Sequence, residues 1–319
     1  MSSSPDFEVR ATGLWFPEGP IALRDGSVLL VEIGAGCLTR IAPEGRAERV
    51  AETGGGPNGA ALGPDGACYV CNNGGFRWGG DAQNGRFPAG RAADYAGGRI
   101  ERIDLASGQV QRLHERTPRG PLSGPNDIVF DKGGGCWFTD LGHMGETAIE
   151  RGSICYAPAD GGALRLAVQP MLTPNGIGLS PDEKTLYVAE TVTARLWAFD
   201  IVAPGELALQ PMPPALSPGR LLYAAAHYCM FDSLAVEAGG NICVATIGVG
   251  GQASPGGAGI TVVAPDGRLV EQVYLPDRAT TNICFGGPDL RTAFVTQSRS
   301  GRLLAMPWPR PGLALNFGA

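Results

Sequence analysis

The sequence predicts an all-β protein: a six-bladed β-propeller of four-stranded antiparallel blades, with residues 1–319 forming one domain. Three observations carry this expectation. A pattern of polar starter, short apolar run, Asp/Gly-rich turn and second apolar run occurs six times. The starters, Glu18, Asn58, Asn126, Asn175, Asp232 and Asn282, stand 40 to 68 residues apart, which leaves room for about two more strands after each hairpin. Composition agrees: 49 glycines, 26 prolines and only 18% charged residues suit short strands joined by tight turns rather than a helical bundle.

Taken in order, the six copies are "EGPIALRDGSVLLVE" from Glu18, "NGAALGPDGACYVCN" from Asn58, "NDIVFDKGGGCWFTD" from Asn126, "NGIGLSPDEKTLYVAE" from Asn175, "DSLAVEAGGNICVAT" from Asp232 and "NICFGGPDLRTAFVT" from Asn282. Each reads as a β-hairpin. The first five are followed by a further strand pair: "CLTRIAPEGRAERV", "GRIERIDLASGQVQRL", "SICYAPADGGALRLAV", "RLWAFDIVAPGELAL" and "GITVVAPDGRLVEQV". The sixth keeps only "GRLLAMPWP", so residues 6–12 ("DFEVRAT") are expected to supply its outer strand and close the ring.

This topology brings all six starters to one mouth of the central channel. Asn and Asp at strand starts can simply cap turns. A carboxylate such as Glu18, held in "FPEGP" ahead of an apolar run, is costly without a partner. Two carboxylates and four amides around one point form an oxygen-rich site for a hard cation. Calcium is the first choice; Mg²⁺, Mn²⁺, Zn²⁺ or Fe²⁺ are the alternatives. Asp127 and Ser233 adjoin ring residues and, on regular strands, point away from the channel. His143 and His227 fall on the same face by topology, to orient substrate or to serve loop packing. His114 is expected at the surface of an outer strand.

Other features exclude function classes. The net charge of −6 argues against nucleic acid as a partner. The N-terminal "MSSSPDFEVRATG" lacks the basic and apolar regions of a signal peptide, and no apolar run reaches about 18 residues, so neither export nor a membrane span is expected. The eight cysteines read as buried free thiols of a cytoplasmic protein. Cys68 and Cys71 form a C-x-x-C on a strand, which puts them on opposite faces and removes a redox or zinc role. "GGGPNG" contains G-x-G-x-x-G, but a strand follows it where a dinucleotide site needs a helix. Neither G-x-S-x-G nor H-E-x-x-H occurs.

The stretches "FPEGP", "SGPND", "TPNGIGLSPDEKTLYVAE" and "FDSLAVEAGGNICVAT" resemble the regucalcin (senescence marker protein)–gluconolactonase family. That family belongs to the calcium-dependent phosphotriesterase-like propellers, which include diisopropyl fluorophosphatase. The resemblance runs over essentially the whole chain. It implies a six-bladed propeller, a metal held by Glu18, Asn126, Asn175 and Asp232, and hydrolysis of lactones or related esters. Two departures stand out. Regucalcin-type sugar lactonases carry an arginine where this chain has Gly124, which argues against a polar aldonolactone. The phosphotriesterase members carry histidines where this chain has Cys284 and Ser298, which argues against organophosphates.

The expected mechanism is metal-assisted hydrolysis of a lactone. Asp232 is the candidate general base, and a metal-held hydroxide is the alternative. Asn58, Asn282, His143 and His227 are candidate contacts to a small-molecule substrate. A ligand-binding propeller with a structural metal, or a lyase or isomerase stabilising an enolate, are the competing readings. The longest loops, 73–97 and about 205–230, rise from the metal face. The first is expected to act as a lid with an aromatic, partly basic rim.

Overall fold

The computed structural model describes residues 5–145, 147–158, 162–211, 217–249 and 257–318. Six antiparallel sheets form the expected propeller. Their inner strands are Pro17–Ala22, Pro57–Leu62, Pro125–Phe130, Pro174–Leu179, Cys229–Val236 and Thr280–Gly286. Each inner strand packs against the next, and the sixth packs against the first. No helix occurs among the described residues, so none is long and apolar enough to cross a membrane.

The hairpins form because their turns carry the right chemistry. In the first blade the Asp25 carboxylate accepts the Ser27 N–H at 3.0 Å, and Gly26 takes φ +82°. The second blade repeats this with Asp65, the Ala67 N–H at 3.2 Å and Gly66 at φ +77°. An Asp-Gly pair thus holds its own turn while the glycine occupies the left-handed region at no steric cost.

The core is divided into six wedges, one between each pair of neighbouring blades. Alternation along each strand feeds two wedges at once. Cys68 packs between the first and second blades and Cys71 between the second and third, so the C-x-x-C thiols do face opposite ways. Val31 and Leu38 are fully buried in the first of these wedges; such burial is worth roughly 1.5–3 kcal/mol per side chain.

Glu8–Ala11 pairs with Arg302–Pro307 and completes the sixth blade, as expected for residues 6–12. The fourth blade has a divided outer edge. Arg195–Ala203 pairs with Glu206–Ala208 along one half and Arg220–Ala224 along the other, so much of the supposed loop at 205–230 is sheet. Residues 212–216 of that loop lie outside the described residues. His114 is a correction: it is buried, not on the surface. It ends the strand Val110–His114 opposite the fully enclosed Ile100, where the chain doubles back through the short pair Arg116–Thr117 and Gly120–Pro121.

The segment after Pro307 crosses the far end of the channel. Its Leu313 N–H donates to the Val236 carbonyl at 2.8 Å, and the Phe317 ring meets Phe130 edge-on at 6.0 Å. A cavity of about 680 Å³ remains between this segment and the starter ring, lined by apolar side chains such as Ile21, Ile128, Ile177 and Leu234.

Candidate functional site

Every inner strand carries a register slip at or directly beside its starter. The pairing register slips between Glu18 and Ile21, Pro57 and Ala60, Pro125 and Ile128, Pro174 and Ile177, Phe231 and Leu234, and Thr280 and Asn282. Such a bulge sets two residues against one and re-aims their side chains. Proline just before four of the starters favours it by withholding an N–H from the ladder. The residue after the starter then abuts the next blade. A Cβ at Gly19 would lie 2.6 Å from the Asn58 carbonyl oxygen, and one at Gly59 would lie 2.4 Å from that of Asn126. One at Gly176 would lie 2.7 Å from the Asp232 carbonyl oxygen. The starters are thereby wound into a tight ring.

Glu18 is 2% exposed. Its Oε2 accepts the Asn282 Nδ2–H at 2.9 Å and the Gly19 N–H at 3.0 Å. The Asn282 Oδ1 accepts the Ile283 N–H at 2.8 Å, so Asn282 bridges Glu18 and its own backbone. Asn175 donates from Nδ2 to Thr191 Oγ1 at 3.1 Å, which orients its amide. The Oδ1 atoms of Asn126 and Asn175 are buried and have no hydrogen-bond partner among the described residues. Asn58 is buried at its strand start, while Asp232 keeps some surface open.

Asp127 is the residue the sequence reading misplaced. On a regular strand it is expected to point away from the channel, yet it lines the cavity. It interacts electrostatically with Glu18 and Asp232. The bulge breaks the two-residue alternation on which that expectation rests. A signal was available: three copies have Gly after the starter, marking non-strand backbone, and the third has Asp127 there. Ser233 is buried beside Asp127.

Three carboxyls therefore share this end of the channel. Burial raises the Glu18 pKa against the pull of Thr281, Asn282 and the Gly19 N–H. Burial, then the Glu18 charge, pushes Asp127 up to about 7. Burial and the Glu18 charge hold Asp232 well above the usual carboxylate range. Among the described residues no arginine or lysine forms an ion pair with any of the three. Uncompensated negative charge and orphaned amide oxygens together suit a hard cation. No three acidic, His or Cys side chains among the described residues stand close enough to hold an ion alone. Any ion here depends on the neutral asparagine oxygens as well.

The histidines lie farther out. His143 is partly exposed, its ring 6.1 Å from Tyr95, and burial with the nearby Arg91 charge lowers its pKa. His227 is exposed in the bend before Cys229–Val236. Cys284, alone among the eight cysteines, is only half-buried, its thiol pushed up to about 12 by desolvation, and Ser298 Oγ donates to the Pro17 carbonyl at 2.6 Å, tying the sixth blade to the first.

The segment 73–97 is an ordered hairpin, Phe76–Asp81 paired with Gly85–Arg91, beside this mouth. At its root lies Asn73, 5% exposed, whose Nδ2 has no partner. Its signal in the sequence is the Asn72–Asn73 pair at the end of the strand Cys68–Asn72, a composition typical of turns.

A family model described as SMP-30/Gluconolactonase/LRE-like region matches residues 16–299. A gluconolactonase from Zymomonas mobilis is 26% identical over 93% of this chain and 80% of the relative. The lactonase drp35 from Staphylococcus aureus is 27% identical over 87% of this chain and 75% of the relative. Among solved structures, a gluconolactonase from Xanthomonas campestris superposes with a TM-score of 0.70 at 21% identity, covering 95% of this chain and 89% of that one. A calcium-binding protein, regucalcin, from Agrobacterium tumefaciens gives 0.69 at 18% identity, covering 99% and 100%. At these identities the structural likeness speaks for the fold.

Proposed function

The chain belongs to the SMP-30/gluconolactonase/LRE-like family, and from that premise we propose that it hydrolyses a lactone or related cyclic ester with a divalent cation, calcium first, at the channel mouth. One observation carries the cation: among the described residues, the buried Oδ1 atoms of Asn126 and Asn175 lack partners, and the three carboxyls beside them lack a positive charge. The names of the gluconolactonase and lactonase relatives support the reaction, and the calcium-binding regucalcin supports the choice of ion.

Glu18, Asn126, Asn175 and Asp232 would hold the ion, which supplies a Lewis acid that polarises the lactone carbonyl. The chain's own groups do the rest. Asp232, which a bound cation would keep ionised against its raised pKa, accepts a proton from water as the water oxygen bonds to the carbonyl carbon. The ring C–O bond then breaks, and that proton passes to the departing oxygen, leaving a hydroxy acid. Asn282 holds Glu18 in place, and Thr191 orients Asn175. Asn58, His143 and His227 would contact the substrate. The free cysteines support a reducing compartment, the cytoplasm.

The test is acid release from a lactone panel, with metal-stripped and calcium-reloaded protein. Stripping should abolish turnover and calcium should restore it; full turnover without metal sinks the proposal. Asp232→Asn should lower kcat at saturating metal by about 10²–10⁴-fold. An unchanged kcat would remove Asp232 as the base. If calcium binds tightly but no lactone is opened, the ligand-binding reading replaces hydrolysis.

A further inference from the structure

The hairpin in the second blade differs from the other connections at this mouth. Its tip reaches the sixth blade: the Arg86 N–H donates to the Arg299 carbonyl at 3.2 Å, and Arg299 Nη2 donates to the Asn84 carbonyl at 3.2 Å. Its return leg is tied to the third blade, where Tyr95 Oη donates to the Ser123 carbonyl at 2.6 Å and Arg91 pairs with Glu150. Three guanidinium groups are spent on this anchoring, each against a ring: Arg86 over Trp15 at 4.5 Å, Arg91 over Tyr95 at 4.6 Å and Arg299 over Phe87 at 5.3 Å. An element pinned at both ends is a fixed wall rather than a swinging lid.

Phe76 and Trp78 flank a register slip in that wall, and their rings meet edge-on. The Trp78 ring lies 5.2 Å from Phe16, 6.1 Å from Trp15 and 6.0 Å from Phe76. Phe16 immediately precedes the strand that carries Glu18, so the aromatic surface starts next to the ring of starters. Trp78 and Phe76 are only half-buried.

The neighbouring loop offers little to a ligand rich in hydroxyl groups. A Cβ at Gly124 would lie 2.5 Å from the Gly142 carbonyl oxygen, so that position cannot bear a polar side chain. The Ser123 and Gly124 N–H groups both donate to Asp140, at 2.8 and 2.6 Å, and Ser123 Oγ donates to Glu150 at 2.8 Å. Among the described residues, two buried donors are left over on this side, Asn73 Nδ2 and the indole Nε1 of Trp15.

We propose that this wall selects a lactone carrying a flat apolar group, an aryl-fused or aryl-substituted ring, over a polyhydroxylated lactone, with Trp78 as the principal contact. The inference rests on the hydrolytic reading above. An aromatic ring stacks on Trp78, and one lactone oxygen uses the spare Asn73 donor. A polyhydroxylated ring would lose water at this wall and find partners for few of its hydroxyls.

The experiment compares kcat/KM of the calcium-loaded protein on a benzo-fused δ-lactone and on an aldono-δ-lactone. Wild type should favour the aryl substrate by about 10-fold or more, and Trp78→Ala should lower that ratio about 10-fold, mainly through KM. Trp78→Phe should keep most of the ratio, and Gln83→Ala, in the exposed turn, should keep all of it. In parallel, the ring-opened aryl hydroxy acid should quench tryptophan fluorescence in wild type, and bind at least 10-fold more weakly to Trp78→Ala. Preference for the aldonolactone, or a loss in Trp78→Ala that is equal on both substrates, overturns the wall while leaving the hydrolase standing. If neither lactone is opened, the hydrolytic reading fails, and the fluorescence titration decides the wall alone: Trp78-dependent binding upholds it, and no binding rejects it.

Discussion

Asp127 shows how much one side chain changes at this site. With Glu18 and Asp232 alone, a divalent ion would balance the charge. Asp127 adds a third acid, pushed up to about 7 by burial and by Glu18. A carboxyl whose folded pKa is raised holds its proton more tightly folded than unfolded. The metal-free protein then loses stability as pH rises from about 4, near the ordinary carboxylate value, to about 7. Each such proton contributes a slope of up to ~1.4 kcal/mol per pH unit. We expect the melting temperature of metal-free protein to fall between pH 5 and pH 8, and the fall to shrink when calcium is added. Asp127→Asn should remove about one proton's share of the slope. Thermal melts over that range decide it; a flat profile for metal-free wild type contradicts the shared burial of the three acids. Carboxyls with lowered values, such as Asp25 and Asp104, act in the opposite sense at lower pH and do not mask it.

At the level of elements, the recurring bulge is the device that makes a ring from six strand starts. It depends on small residues where neighbouring backbones meet. A methyl group at Gly59 would lie 2.5 Å from the Asp127 Cα, against backbone that cannot yield as a flexible side chain would. Gly59→Ala should therefore destabilise the protein by roughly 1–3 kcal/mol and weaken calcium binding by displacing Asn126. Gly239→Ala is the control, because nothing lies within 4 Å of its Cβ position; it should stay within about 0.5 kcal/mol. Calorimetric titration of both variants with calcium separates the two effects. Equal behaviour of the two variants would show that the close approach does not position the site.

Across the whole molecule, the two termini complete what the repeats leave open. The N-terminal strand closes the sixth blade, and the C-terminal segment spans the far mouth. The latter is anchored at Glu237, whose side chain is fully buried. Glu237 accepts from Trp308 Nε1 at 2.8 Å, Asn241 Nδ2 at 2.8 Å and Arg310 Nε at 2.7 Å. Arg310→Ala would leave that carboxylate short of its counter-charge. A loss of about 3 kcal/mol in urea unfolding is the expected result. A loss below about 0.5 kcal/mol would mean that the anchor is dispensable.

Fold class and the six starters were legible in the sequence because hairpins are local: turn chemistry and apolar alternation lie within about fifteen residues of each starter. The sheet partners of residues 6–12 followed from counting strands, since a ring with a missing strand has one vacancy. What stayed hidden depends on contacts between segments far apart in the chain. Regular alternation sent Asp127 outward, and only packing of the next blade's backbone against a bulge brings it into the channel. Exposure of His114 was misjudged because the chain that doubles back beside it comes later in the sequence. The 73–97 segment carries no local mark of being pinned, because its anchors, Arg299 and Ser123, belong to other blades. Residue type thus determined the chemistry available at the channel mouth, while close packing between blades decided which of those groups meet.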